Sequence, residues 1–208
     1  MPVDGPLYPV NLRIAGKRCL VVGGGRVAVQ KVAELLLCGA AVTVIAPVIE
    51  PTLAADGRVA TEVRPYAPGD LAGYHLAITT TDDGAVNAAV FAEGEAAGIW
   101  VNSADDPANC SFTLPSRIRQ GALLVTFATG GHSPALATWL RRRFSEEFGP
   151  EYDLLIAVLS EEREELRAAG RSTEGLDWQS ALDSGMLDLI RLGRIAEAKE
   201  LLRTCLAQ

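Results

Sequence analysis

An α/β fold is predicted from the sequence: a parallel-sheet domain first, then a small β-rich segment, then an all-helical C-terminal domain. Three observations predict it. Strand and helix patterns alternate through the first half; after Asn102 two strand patterns follow with no long helix between them; beyond Pro150 every apolar pattern is helical. The boundaries this implies are 1–114, 115–149 and 150–208. A chain of 208 residues, about half hydrophobic and a fifth charged, can bury cores in such units.

The elements follow in order. Residues 17–22 form an apolar strand that runs straight into Gly23-Gly24-Gly25. From Arg26 to Cys38 the apolar residues Val32, Leu35 and Leu36 recur at helical spacing, and Gly39 suits the residue after a helix end. A β-branched strand over 42–46 stops at Pro47, and 61–64 is a weaker strand pattern. Residues 76–80 make a strand, 83–97 an Ala-rich helix ended by Gly98, and 99–102 a further strand. Strands are then expected over 111–114 and 122–129. Ser133-Pro134 opens a helix running to about Phe148, with Leu136, Trp139, Leu140 and Phe144 on one face. The tail carries three helical patterns, marked by 154–158, 178–190 and 195–205, with a polar loop over 168–175.

Composition narrows the function classes. The net charge of −7 speaks against an extended nucleic-acid footprint. No apolar run reaches the ~18 residues of a membrane span, and Gly39 breaks the longest candidate, 35–49. The first residues lack the basic and apolar stretches of a signal peptide, so a cytoplasmic protein is expected. Four scattered cysteines form no CxxC pair, and Cys19 and Cys38 are expected as core thiols. With His75 and His132 the only histidines, no metal site is expected.

Gly23-x-Gly25-x-x-Ala28 sits after a strand and opens a helix, where a Rossmann dinucleotide fingerprint must lie. Gly23 permits the tight turn, Gly25 lets a pyrophosphate approach the backbone, and Ala28 lets helix pack on strand. Free amides of the first helical turn then meet the phosphate charge. The acid expected at the end of the second strand is missing: the chain there reads Ile45-Ala46-Pro47-Val48-Ile49-Glu50, so backbone near Pro47 and Val48 is left to hold the ribose. Arg26 suits a 2′-phosphate or solvent equally, and the residues leave NAD and NADP both open.

Ligands of an open parallel sheet bind beyond the carboxyl ends of its strands. Two polar clusters fall there, Thr79-Thr80-Thr81-Asp82-Asp83 and the run 102–109. Thr81 and Asn102 are the cofactor candidates among them. Asp82 or Asp83 is expected to cap the following helix. Asp105-Asp106-Pro107 has no such helix to cap; it is either a turn or a source of acid/base chemistry beside the nicotinamide. His132 reads as a loop histidine or an acid/base group, and His75 as a packed or surface residue. Arg117, Arg119, Arg141, Arg142 and Arg143 form a basic stripe, either solvated or suited to a substrate with several carboxylates.

Several short motifs in one order carry a resemblance: 20–28 (LVVGGGRVA), 39–47 (GAAVTVIAP), 80–83 (TTDD), 101–107 (VNSADDP), 111–116 (SFTLPS) and 129–137 (TGGHSPALA). With them the chain resembles the precorrin-2 dehydrogenase / sirohydrochlorin ferrochelatase family, which is also the N-terminal module of siroheme synthase. The match is colinear over about 7–143. The resemblance implies NAD-dependent oxidation of precorrin-2 to sirohydrochlorin, with insertion of ferrous iron (Fe2+) to give siroheme in some members. It implies a homodimer interlocked through the segment after Leu114, an essential aspartate at Asp105 rather than Asp106, and NAD contacts at Arg26, Val27, Pro47 and Val48. Some relatives carry a modified serine before Gly-Gly, where this chain has Thr129. Thr129, His132, Arg117, Arg119 and Arg141 are the substrate candidates. Two other functions share these features: a non-catalytic dinucleotide-sensing module, which is expected to keep the ribose acid, and a dehydrogenase of another substrate on the same fold.

Overall fold

The computed structural model describes residues 5–104 and 106–207. Two compact units emerge, Met1–Leu114 with Gly130–His132, and Pro115–Thr129 with Ser133–Gln208.

The first unit is a five-stranded, all-parallel sheet with strand order β3-β2-β1-β4-β5: β1 Arg18–Val22, β2 Ala41–Ala46, β3 Val59–Val63, β4 Leu76–Thr79 and β5 Trp100–Ser103. Central β1 shows why its sequence is a solid apolar run. Cys19 and Val21 pack on one face, with Ala28, Val32 and Leu35 of helix α1 (Arg26–Leu37). Leu20 and Val22 pack on the other, with Val90 of helix α3 (Gly84–Ala97). A parallel strand covered on both faces has no polar alternation to show. Helix α1 ends as expected: Ala40 N donates to Leu35 O (3.1 Å) and Gly39 N to Leu36 O (2.9 Å), a Schellman closure. Cys38 caps that end and is exposed, so only Cys19 is a core thiol; the helix turns its last residues away from the sheet. A short helix α2 (Pro51–Ala54) links β2 to β3.

The second unit holds the hairpin β6 (Ser116–Gln120) and β7 (Leu123–Phe127), then α4 (Pro134–Phe144), α5 (Glu151–Ala168), α6 (Trp178–Asp183), α7 (Met186–Arg191) and α8 (Ile195–Leu206). A strand over 111–114 is not formed. Ser111 N donates to Val101 O (2.8 Å) and the Asn102 amide to Phe112 O (2.8 Å), so a side chain replaces a ladder there. The hairpin begins later, at Ser116. The expected helix over 178–190 is two helices, because Gly185 takes φ +89°, a conformation that L side chains rarely adopt. Helix α4 stops at Phe144, short of Phe148, and its Leu136 and Trp139 stay 46% and 55% exposed while Ala137 is buried. Phe127, Phe144, Phe148 and Tyr152 follow one another at centroid separations of 5.8, 6.3 and 5.3 Å, tying β7 through α4 to α5. Met186, Ala181, Ala198 and Leu202 are fully buried among the tail helices.

Candidate functional site

Strand order reverses between β1 and β4, and the crevice outside their carboxyl ends is where such a sheet receives a ligand. Both bordering loops are tied down: Gly23 N donates to Ile45 O (2.9 Å) and Thr80 N to Val22 O (2.8 Å). Gly23 sits at φ +116°, and a Cβ there would lie 2.5 Å from Thr80 Oγ1 and 2.9 Å from the Thr80 carbonyl. The turn therefore requires glycine on two counts.

Gly24 was not singled out by the fingerprint, yet a Cβ on it would lie 2.2 Å from Val48 O. Gly24 O also accepts from Glu50 N (2.8 Å). This residue thus brings the Pro47–Val48 backbone against the glycine turn. Glu50 stands at the start of α2. No carboxylate lies at the end of β2, and Pro47 and Val48 are exposed.

Gly25 completes the cradle. Around its ideal Cβ there is nothing within 4 Å, and it is the N-cap of α1 with no side-chain cap and no acidic residue in the first turn. Amides of the first turn have no intrahelical partner and, uncapped, face outward beside exposed Arg26 and Val27. Open space, positive dipole and absent acid together fit a dinucleotide diphosphate. Ala28 is fully buried against the sheet, as a small residue at that position should be.

On the β4–β5 side the hydroxyls of Thr79 and Ser103 pair at 2.8 Å in a buried contact. Thr81 Oγ1 accepts from Asp83 N (3.2 Å), and Asp83 accepts from Ala85 N (2.9 Å) and Val86 N (3.2 Å), the expected helix cap. Asn102 is buried, its amide turned to Phe112 O and to Cys110 Sγ (3.5 Å). Cys110 Sγ accepts from Ser103 N (3.2 Å) and donates toward Ser103 O (3.3 Å) and Asp106 O (3.4 Å); burial pushes this thiol up. A lone cysteine between Asn109 and Ser111 carries no pattern that would announce this thiol clasp. Asp106 precedes a short 3-10 turn, Pro107–Asn109, where a turn was one of the two expectations, and its carboxylate accepts from Asn109 Nδ2 (2.6 Å). Asp105 lies outside the described residues. Its neighbours are anchored, Ala104 N to Thr79 O (2.9 Å) and Asp106 N to Ser103 O (3.5 Å).

Gly23, Gly25, Arg26, Val27, Pro47, Val48, Thr81 and Asn102 all belong to the first unit, as does exposed His132. Arg117, Arg119, Thr129 and Arg141 belong to the second. Arg117 and Arg119 share one face of β6, opposite buried Ile118. Thr129 Oγ1 accepts from Ser133 N (3.1 Å), and Arg141 is exposed in the last turn of α4. His75 is exposed. Among the described residues no three His, Cys, Asp or Glu side chains could hold a metal ion, and no helix is long and apolar enough to cross a membrane.

Residues 10–116 match a protein family described as "Putative NAD(P)-binding". The chain is 37% identical over 216 residues to the siroheme synthase of Gluconacetobacter diazotrophicus, covering 98% of this chain and 45% of that protein. It is 35% identical over 203 residues to that of Nitrosococcus oceani, covering 95% and 43%. The chain thus spans less than half the length of the siroheme synthases it matches. Among solved structures it is similar to SirC, precorrin-2 dehydrogenase, with a TM-score of 0.73 and 25% identity, over 96% of this chain and 98% of that one.

Proposed function

The chain belongs to the NAD(P)-binding family, and we propose that it is an NAD-dependent dehydrogenase that oxidises precorrin-2 to sirohydrochlorin in siroheme biosynthesis. One observation carries the reading: an uncapped, acid-free helix start behind three glycines at the reversal of strand order, open where a diphosphate would approach. The bound dinucleotide supplies a two-electron acceptor, so that precorrin-2 gives up one hydride and one proton. The α1 amides hold the diphosphate, and Arg26, Val27 and the Pro47–Val48 backbone hold the adenosine side. Thr81 borders the nicotinamide side, while Asn102 and Cys110 hold the loop that bears the acidic pair.

Asp105 is the proposed base that takes the proton, since the Asp83 and Asp106 carboxylates are occupied by a helix cap and by Asn109. The same carboxylate would remove pyrrole protons if ferrous iron is inserted as a second substrate. Arg117, Arg119 and Arg141, with Thr129 and His132, receive the carboxylates of the tetrapyrrole. The segment 115–149 serves a homodimer, supported by exposed Leu136 and Trp139 on α4. Four free thiols suit a cytoplasmic setting.

The test is an assay of purified protein with precorrin-2, with and without NAD and ferrous iron. Expected are sirohydrochlorin and NADH in equal amounts, with siroheme formed only if iron is also inserted. Asp105→Ala should lower turnover by roughly 10²–10⁴-fold while NAD affinity stays within about twofold. Full turnover by that variant removes the assignment of Asp105; no NADH from the intact protein removes the dehydrogenase reading.

A further inference from the structure

We propose that Asn87 is a positioning residue for the nicotinamide side of the dinucleotide site, acting through the backbone of Thr81; this rests on the dinucleotide reading above. The sheet-facing row of α3 is Asn87, Val90 and Gly94. Its lower members are apolar and pack tightly, a Cβ on Gly94 meeting Val101 Cγ2 at 2.3 Å. The polar member lies at the N-terminal end of the helix, the end that follows the β4 loop. Asn87 is only 7% exposed, and its Nδ2 donates to Thr81 O at 3.1 Å. Its Oδ1 is buried with no partner among the described residues.

A buried acceptor left unpaired is unfavourable, so packing alone would be served better by an apolar residue of similar size. Nor is Asn87 needed to cap α3, because Asp83 already accepts from two of its first amides. What asparagine provides here is the bond to Thr81 O. Thr80 is fastened to β1 through its amide, and Asn87 fastens the next carbonyl, so the two bonds fix the loop edge on the β4 side of the crevice. A dinucleotide whose diphosphate sits at Gly23–Gly25 spans the crevice, with one nucleoside toward Pro47–Val48 and the other toward Thr80–Thr81. Only the second feels Asn87.

The experiment uses the whole protein and two probes, NAD and ADP, which lacks the nicotinamide nucleoside, titrated by calorimetry beside a thermal scan. Asn87→Leu should weaken NAD about tenfold and leave ADP within about twofold, with Tm unchanged or higher, because the orphan acceptor goes with the bond. Asn87→Asp, which keeps the size but lacks the donor, should show the same split between NAD and ADP and decides the matter if the leucine variant does not fold. Equal weakening of both probes, no weakening of NAD, or a fall in Tm that tracks the loss of affinity would overturn the proposal. An intact protein that binds neither probe removes the dinucleotide reading itself, and this inference with it.

Discussion

Replacing Gly25 by alanine separates what the glycine turn does for folding from what it does for a ligand. The residue lies at φ −86°, ψ −167°, extended backbone that alanine adopts freely, and its Cβ would touch nothing within 4 Å. Alanine is the poorer N-cap, by up to about 1 kcal/mol, while it restricts the unfolded chain in the other direction by about 0.4–1 kcal/mol. The two nearly cancel, so Tm should move by no more than about 4 °C. The new methyl group does, however, stand in the open space before the α1 amides. A diphosphate forced back from those amides loses short charge-assisted contacts, and a loss of at least tenfold in NAD affinity, about 1.4 kcal/mol, is expected. Calorimetric titration with NAD beside a thermal scan measures both quantities. If Gly25→Ala binds NAD as tightly as the native chain does, the turn is not a phosphate cradle and the cofactor placement falls.

Three other outcomes follow from the same geometry. Gly24→Ala should destabilise by about 1–3 kcal/mol, because the 2.2 Å approach to Val48 O is to backbone that cannot swing aside; an unchanged urea midpoint would refute it. Asp83→Ala removes two cap bonds from α3 and should cost about 1 kcal/mol in the same measurement, with turnover per folded molecule kept. Burial, aided by Cys38, pushes the Cys19 thiol up to about 11. A raised folded-state value means that the protonated thiol contributes stability up to pH about 9, lost as pH climbs toward 11. Labelling at pH 8 should therefore modify exposed Cys38 quickly and Cys19 only after unfolding, and early labelling of Cys19 would contradict the packing of β1.

The sheet was legible because β1, β2 and β4 are apolar runs broken by glycine, proline and threonine, and such runs have one home in an alternating chain. The glycine turn was legible for the same reason, since its pattern means something only between a strand and a helix. Gly24 was not, because the fingerprint leaves that position free and only the return of Val48 makes a side chain impossible there. The strand Ser116–Gln120 escaped notice with a single buried residue, Ile118, between two arginines, too short an alternation to separate from a charged loop. Leu136 and Trp139 have helical spacing with Phe144 but point away from the packed side, a distinction that periodicity alone does not draw. Asn87 gave no signal at all: its role depends on which carbonyl the β4 loop presents to it.

The file of rings from Phe127 to Tyr152 makes the hairpin and the first tail helix one lever. Gln120 Nε2 adds a bond to Phe148 O at 2.8 Å, and the Gly121 corner leaves no room for a Cβ against Asp153. The strand that carries Arg117 and Arg119 is therefore braced by residues some thirty positions downstream. A substitution at Tyr152 or Asp153, more than thirty positions along the chain from Arg117 and Arg119, is expected to loosen the strand that carries them.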